Sequence, residues 1–298
     1  MTWILLSLVA PLFWAGSTFV DKYLLSKHTK GIYDFLFFST LTNWVFTLGL
    51  ILFFGLPRLN TYSLIPLATG IVLLYSYGFY GKALEKEEAS SLVVLFKLIP
   101  VISLLLGFLF LGQTLSFREL IGFIVVLLGT IAISFERVDK HLVPLKGLGL
   151  ILVSIIIWAM LFVLMDFGLS KMPYWDFFTI HIFGGAIAGP LLMIVPDIRK
   201  QIITGFRYSS RRKFGFFFMN DLLGFMGEMT ATKALALGPS VALVTVLIQI
   251  QSFYAIIIGA ILTLLVPSII KENISWQALT KKLIGAAIMF GGIYLMLL

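Results

Sequence analysis

The 298-residue sequence contains no cysteine, which excludes disulfides and thiolate metal sites and leaves the redox compartment unread. Charge is also scarce. Asp, Glu, Lys and Arg make up 12% of the chain, 60% is hydrophobic, and the mean hydropathy is +1.05. A soluble domain of this size does not have that balance; a polytopic membrane protein does. There is no phosphate-cradling glycine motif, no HExxH and no nucleophile elbow, so neither an enzyme nor a metal or cofactor site is expected. The first apolar run, Trp3 to Val20, has no basic segment before it and no small-residue cleavage pattern after it, and is expected to persist as a helix. A net charge of +8 would suggest nucleic acid in a soluble chain. Here the basic residues lie in short segments between apolar runs, where anionic lipid and membrane orientation account for them and nucleic acid does not.

What the chain does have is a succession of apolar runs. Turn and charge punctuation divides them into ten transmembrane helices at about 2–21, 32–55, 62–83, 89–111, 117–135, 147–168, 174–195, 214–235, 240–266 and 277–298. The connection 196–213 carries Arg199, Lys200, Arg207, Arg211, Arg212 and Lys213, and reads as a surface loop or interfacial helix against lipid headgroups. The chain also repeats itself. Leu8 to Lys27 aligns with Leu152 to Lys171, placing Trp14 over Trp158. Asp34-Phe35 matches Asp176-Phe177, Lys82-Ala83-Leu84 matches Lys233-Ala234-Leu235, and Ile121-Gly122 matches Ile284-Gly285. Five spans per half is an odd number, so the second half enters the membrane from the opposite side. The expected fold is therefore all-α and integral to the membrane, with ten transmembrane helices as two inverted five-helix repeats, 1–140 and 141–298. Seventeen Lys and Arg fall beyond the odd-numbered spans and four on the other side, which puts both termini away from the cytoplasm.

Ionisable residues within the apolar runs are the first candidates for function, because hydrocarbon tolerates them only beside a partner or a wet cavity. Lys97 falls about a third of the way into the fourth span, with Pro100 three residues on expected to bend it. Span eight holds Asn220, Asp221, Glu228 and Thr232. Asp221, Glu228 and Thr232 share one helical face, and Glu228 lies too deep to snorkel out. Glu228 is expected to be the coupling carboxylate and Lys97 its counter-charge. His181 in span seven can relay protons. In span nine, Thr245, Gln249 and Ser252 share a face, with Gln249 suited to a polar substrate. Trp14 and Trp158, mid-span and matched by the repeat, are candidate cavity walls beside Tyr77 and Tyr80, which could form an aromatic cage for an amine. Gly122, Gly129, Gly285 and Gly292 suggest close packing of the fifth and tenth spans, within one chain or across a dimer.

The stretch ASSLVVLFKLIP with Gly112-Gln113 beyond it, the early tryptophan of each half, the end of span three at Tyr80, Ala83 and Leu84, and the Ile121-Gly122 opening of span five together resemble the EamA-type transporters of the drug/metabolite transporter superfamily. The resemblance implies a basket-like bundle. Spans three, four, eight and nine would line a central cavity, one, two, six and seven would rock around them, and five and ten would be peripheral. It also implies small-molecule substrates. Departures from the family pattern are Gln113 in place of a glutamate, Lys97 in place of a small or apolar residue, and Gln249 and Gln251 where a proline would match Pro100. The family norm of cytoplasmic termini opposes the charge count. The resulting expectation is a secondary active transporter in the cell (inner) membrane, moving a small polar or zwitterionic metabolite by alternating access with protons as the coupling ion, as a monomer or homodimer. A nucleotide-sugar or sugar-phosphate exchanger is the alternative; a membrane-embedded enzyme or a scaffold is more remote.

Overall fold

The computed structural model describes residues 1–84, 96–134, 148–207, 210–265 and 276–297, and among them it is helical without a strand. The order is α1 (Thr2–Lys27), α2 (Ile32–Phe54), α3 (Leu64–Leu84), α4 (Leu98–Leu111), α5 (Phe117–Ser134), α6 (Leu148–Leu169), α7 (Tyr174–Leu192), α8 (Pro196–Arg207), α9 (Arg211–Leu237), α10 (Val241–Ile248), α11 (Gln251–Leu265) and α12 (Trp276–Leu297). By length and composition six stretches can cross a membrane: Thr2–Leu25, Ile32–Phe54, Leu64–Ala83, Gly149–Leu169, Tyr174–Leu192 and Val241–Leu265. Leu98–Leu111 and Leu283–Met296 are apolar but shorter. α9 has 27 residues, enough length for a bilayer, and its polar side chains keep it out of that group.

Several sequence expectations change at this level. Lys97 is not inside a helix. It occupies the N-cap position of α4, and the first part of the expected fourth span, residues 89–95, lies outside the described residues. Pro100 therefore falls in the first helical turn, where a missing N–H leaves nothing unpaired, and it bends no helix. The ninth span is interrupted: α10 ends at Ile248, α11 resumes at Gln251, and Gln249 caps α10. The basic connection contains a helix, α8, with Ile202 buried and its charged residues exposed. Hinge residues 85–88 also lie outside the described set.

Glycines set the tightest helix contacts. α5 and α12 interlock so closely that a Cβ on Gly122 would press on the Gly292 carbonyl, and one on Gly129 on the Gly285 carbonyl. Small residues that let backbones meet in this way replace the hydrophobic drive that lipid cannot supply. This glycine set is consumed within the chain and forms no free dimer face. Elsewhere α1 packs along α9, α3 along both α6 and α7, α2 along α7, and α4 on α6 and α10.

At one end of the bundle a buried ion pair fastens three elements. Lys213 Nζ in the first turn of α9 sits 2.9 and 3.1 Å from the carboxylate oxygens of Asp34 in α2, and Asp34 is fully buried. The Lys30 N–H donates to the same carboxylate at 2.9 Å, and Gly205 of α8 packs on it where any Cβ would clash. Removing one partner of such a pair strands the other without compensation. Asp34→Ala is expected to destabilise the protein by about 3 to 5 kcal/mol, seen as a lower thermal unfolding temperature in detergent, with Asp34→Asn/Lys213→Met recovering most of it. An unchanged melting temperature in Asp34→Ala would refute the fastening role.

Candidate functional site

The crossing of α3 and α7 positions the first part of the site. A Cβ on Gly70 would collide with the His181 carbonyl, and one on Gly184 with the Leu67 carbonyl, so these positions must be bare for the helices to touch. The approach brings Thr69 Oγ1 to 2.9 Å from His181 Nδ1. The same hydroxyl lies 2.9 Å from the Pro66 carbonyl, which can only accept. Its single proton therefore goes to Pro66, and Nδ1–H of His181 donates to Thr69. That fixes the ring with Nε2 toward Glu228, whose Oε1 is 3.5 Å away. Between them the two groups can hold one proton, as carboxylic acid facing imidazole or imidazolium facing carboxylate. His181 is buried, while the Glu228 side chain keeps 19% of its surface accessible, so the pair is reachable from one side.

Lys97 forms the second part. Its buried ammonium is 2.5 Å from Ser252 Oγ and 3.3 Å from Gln249 Oε1. Gln249 lies in the interruption of the ninth span and Ser252 in the first turn of α11 beyond it, and the C-terminal end of α10 there carries the negative end of its helix dipole. The Gln249 amide in turn donates to the Thr245 carbonyl at 3.3 Å. Among the described residues no carboxylate pairs with Lys97, and the basic side chain beside Glu228 is that of His181. The expected Lys97–Glu228 counter-charge is thus replaced by two separate arrangements. The reason is geometric: the break after α10 supplies uncharged oxygens within reach of the ammonium, whereas α9 presents Glu228 to α7.

Aromatic side chains make the third part. The Trp158 indole N–H donates to Ser76 Oγ at 2.5 Å. Its ring centre lies 5.5 Å from that of Tyr77, 5.8 Å from Tyr80 and 5.1 Å from Phe96, the residue before Lys97. Tyr77 is 42% exposed in mid-helix. Among the described residues α3 has no extended packing with α1 or α9. Trp14 does not join the cluster; it packs on Gly227 of α9, where a Cβ would displace it.

The polar face expected on α9 divides. Asp221 accepts hydrogen bonds from Ser39 at 3.0 Å and Thr42 at 2.5 Å, both on α2. Glu228 turns to α7, and the Thr232 hydroxyl is buried without a partner among the described residues. Some site residues have no sequence signal. Thr69 and Ser76 are ordinary hydroxyls in an apolar helix, identifiable only once His181 and Trp158 lie beside them. Asp21 meets the Asn220 amide at 2.6 Å, and the Asn220 carbonyl accepts from Ser17 at 3.0 Å. Asp21 carried a signal that sequence reading passed over, a carboxylate at the end of an apolar run. Asp166 likewise receives the Gln113 amide at 2.6 Å, while Gln113 Oε1 accepts the Val241 N–H at 2.9 Å. The glutamine that departs from the family pattern therefore joins α4, α6 and α10.

Fold and site together define a multi-pass helical membrane protein with ionisable and aromatic groups at its centre. Residues 1–135 match the model of the EamA-like transporter family. The resemblance read from the sequence is to this same family, which the match finds over residues 1–135. A solved crystal structure of another protein has the same fold, with a TM-score of 0.62 over 98% of this chain and 95% of its own, at 14% identity. No curated protein matches the chain.

The glycine contact under the His181 site makes a stability prediction. Gly70→Ala forces α3 off α7 and is expected to destabilise by about 1 to 3 kcal/mol. Gly49→Ala, with open space around it, should leave the thermal unfolding midpoint unchanged. Equal midpoints for the two variants would show that the close crossing is not what holds Thr69 to His181.

Proposed function

We propose that the protein is a secondary active transporter that moves a small polar or zwitterionic metabolite, an amino acid, amine or related compound, by alternating access with proton coupling. The observation that carries this reading is the buried Lys97 ammonium held by two uncharged oxygens, with no carboxylate beside it among the described residues. A substrate carboxylate would complete that site. The aromatic cluster of Tyr77, Tyr80 and Trp158 suits an ammonium group. Lys97 is then the anion anchor and Glu228 with His181 the proton carrier. Gln249 positions Lys97, Asp221 braces α9 on α2, and Trp14 is a packing residue between α1 and α9.

Alternating access needs two related halves, and the packing supports the proposed inverted repeats 1–140 and 141–298. Contact of α1 with α9 is mirrored by that of α6 with α3. Contact of α1 with the ninth span is mirrored by that of α6 with α4, and contact of α3 with α7 by that of α9 with α2. Pairing across the sequence midpoint is what a two-fold axis in the membrane plane produces. Ten spans follow if α4, α5, α9 and α12 cross the bilayer along with the six longer apolar stretches. The basic residues gather at the end bearing α8, which we assign to the cytoplasmic side of the cell membrane with both termini opposite. A sugar-phosphate exchanger remains the second reading, since Lys97 would equally take a phosphate; a catalytic role finds no cluster of metal-ligating residues to support it among the described residues.

Purified protein in liposomes loaded with a pH-sensitive dye tests the assignment. Amino acids or amines should drive proton movement in wild type, and Glu228→Gln should abolish it while leaving substrate binding measurable. Lys97→Gln should weaken binding of carboxylate-bearing substrates by tenfold or more, about the worth of one charge-assisted hydrogen bond, and spare amines that lack a carboxylate. Substrate uptake without proton movement in wild type would remove the coupling. Selective loss of sugar phosphates in Lys97→Gln would replace the substrate class with the second reading.

A further inference from the structure

Two lysines matched by the sequence repeat, Lys82 and Lys233, lie outside the three parts of the site, and each meets a tyrosine ring in the first turn of another helix. Lys233 Nζ of α9 is 4.3 Å from the ring centre of Tyr174 of α7, and Lys82 Nζ of α3 is 5.5 Å from that of Tyr33 of α2. The two contacts stand at opposite ends of the bundle. α8 follows the end of α7 and precedes the start of α9, so Tyr174 at the start of α7 and Lys233 near the end of α9 lie at the end away from α8. Tyr33 adjoins Asp34, which meets Lys213 and Gly205 at the α8 end, and Gly81 beside Lys82 packs on Ile32 there.

We infer that Lys233 and Tyr174 form a clasp that closes access to Glu228 from the end away from α8, with Lys82 and Tyr33 as its counterpart at the α8 end. The inference rests on the alternating-access reading and names the residues of its two closures. Position is the first support. Glu228 comes five residues before Lys233 on α9, and His181 seven after Tyr174 on α7. At 1.5 Å per residue the clasp therefore lies about 7 to 10 Å nearer the far end than the His181–Glu228 pair, between that pair and the membrane face. The side chain of Glu228 keeps 19% of its surface accessible, so there is something for a closure to guard.

The second support is the way the clasp is made. The Tyr174 hydroxyl donates to the Met229 carbonyl at 2.5 Å, and its ring stacks on Phe178 at 5.8 Å with 6° between the planes. Met229 and Lys233 are one turn apart, so α9 holds a single tyrosine by a carbonyl and an ammonium. Contacts of this kind part and re-form without separating a backbone seam such as that of α3 with α7. The third support is the repeat. Lys82-Ala83-Leu84 and Lys233-Ala234-Leu235 are matched segments, and an inverted repeat sends matched residues to opposite faces of the membrane. The far-end clasp is the shorter of the two, with Lys233 half-buried where Lys82 is exposed.

The test uses the full-length chain, which has no cysteine of its own. Thr232→Cys places one thiol a turn from Glu228 on the same face of α9, at a buried hydroxyl that has no partner among the described residues. A membrane-impermeant maleimide is applied to each side of sealed vesicles, and Lys200→Cys, at an exposed position on α8, marks the α8 face. Lys233→Gln and Tyr174→Leu, each in the Thr232→Cys chain, should raise the labelling rate from the far face about threefold or more. Lys82→Gln should not raise it, and neither should Lys171→Gln, which removes equal charge from an exposed position between α6 and α7. Unchanged labelling in both clasp variants would overturn the proposal. An equal rise in Lys171→Gln would reduce the effect to surface charge, and an equal rise from both faces would reduce it to a loosened bundle; either overturns it as well. Labelling is read without substrate, so its outcome is independent of the dye assay that decides the transport reading.

Discussion

An ionisable side chain within hydrocarbon has to be paired, hydrogen-bonded or hydrated, and this requirement governs how the helices of this protein are arranged. Every such group described above is met by a partner from a different part of the chain. Asp34 takes Lys213, Glu228 takes His181, and Lys97 takes Gln249 and Ser252. Asp21 takes Asn220, Asp166 takes Gln113, and Asp221 takes two hydroxyls of α2. Because each pair joins helices distant in sequence, the polar groups that would be liabilities in single helices act together as the connections of the bundle.

The connections are of two physical kinds. Asp34 with Lys213 is a full ion pair, fully buried, cradled by glycine and with the ammonium 3.8 Å from the centre of the Phe38 ring. Such a contact has little reason to open, since separating it would leave a bare charge. Lys97 and Glu228 differ. One is held by uncharged oxygens and the other by a histidine at the long distance of 3.5 Å, so each can exchange its present partner for a ligand or a proton at small loss. The same contrast runs through the packing. α5 with α12 and α3 with α7 meet backbone to backbone through glycine, whereas α3 has no extended packing with α1 or α9 among the described residues. Tight seams beside a sparsely packed one suit the transport reading.

Individual residues show what sequence reasoning could reach. The spacing of Gln249 and Ser252 placed them on one face, and the structure puts both on one ammonium, because helical periodicity survives the interruption between them. Lys97 and Glu228 stood out for the same reason, their depth in an apolar run, yet depth does not report azimuth, and the two point to different neighbours. Trp14 and Trp158 show the limit of repeat matching: aligned in sequence, one rests on a glycine and the other hydrogen-bonds Ser76 among three aromatic rings. An apolar run that reads as continuous makes Pro100 a bend, whereas a helix that begins at Leu98 places the same proline in its first turn.

The amino-acid sequence alone determined that this is an all-helical membrane protein, roughly where its helices lie, that it resembles EamA-type transporters, and which few residues are too polar for lipid to accept. Those properties are encoded locally, in run length, composition and periodicity. Tertiary structure alone decided which polar group answers which: that His181 and not Lys97 faces Glu228, that the ninth span breaks where Lys97 needs oxygens, and that Asp34 reaches Lys213. Those pairings depend on helix rotation and crossing, which are set by bare glycines such as Gly70 and Gly184 touching another backbone, and no spacing along one chain segment records what a neighbouring helix will present.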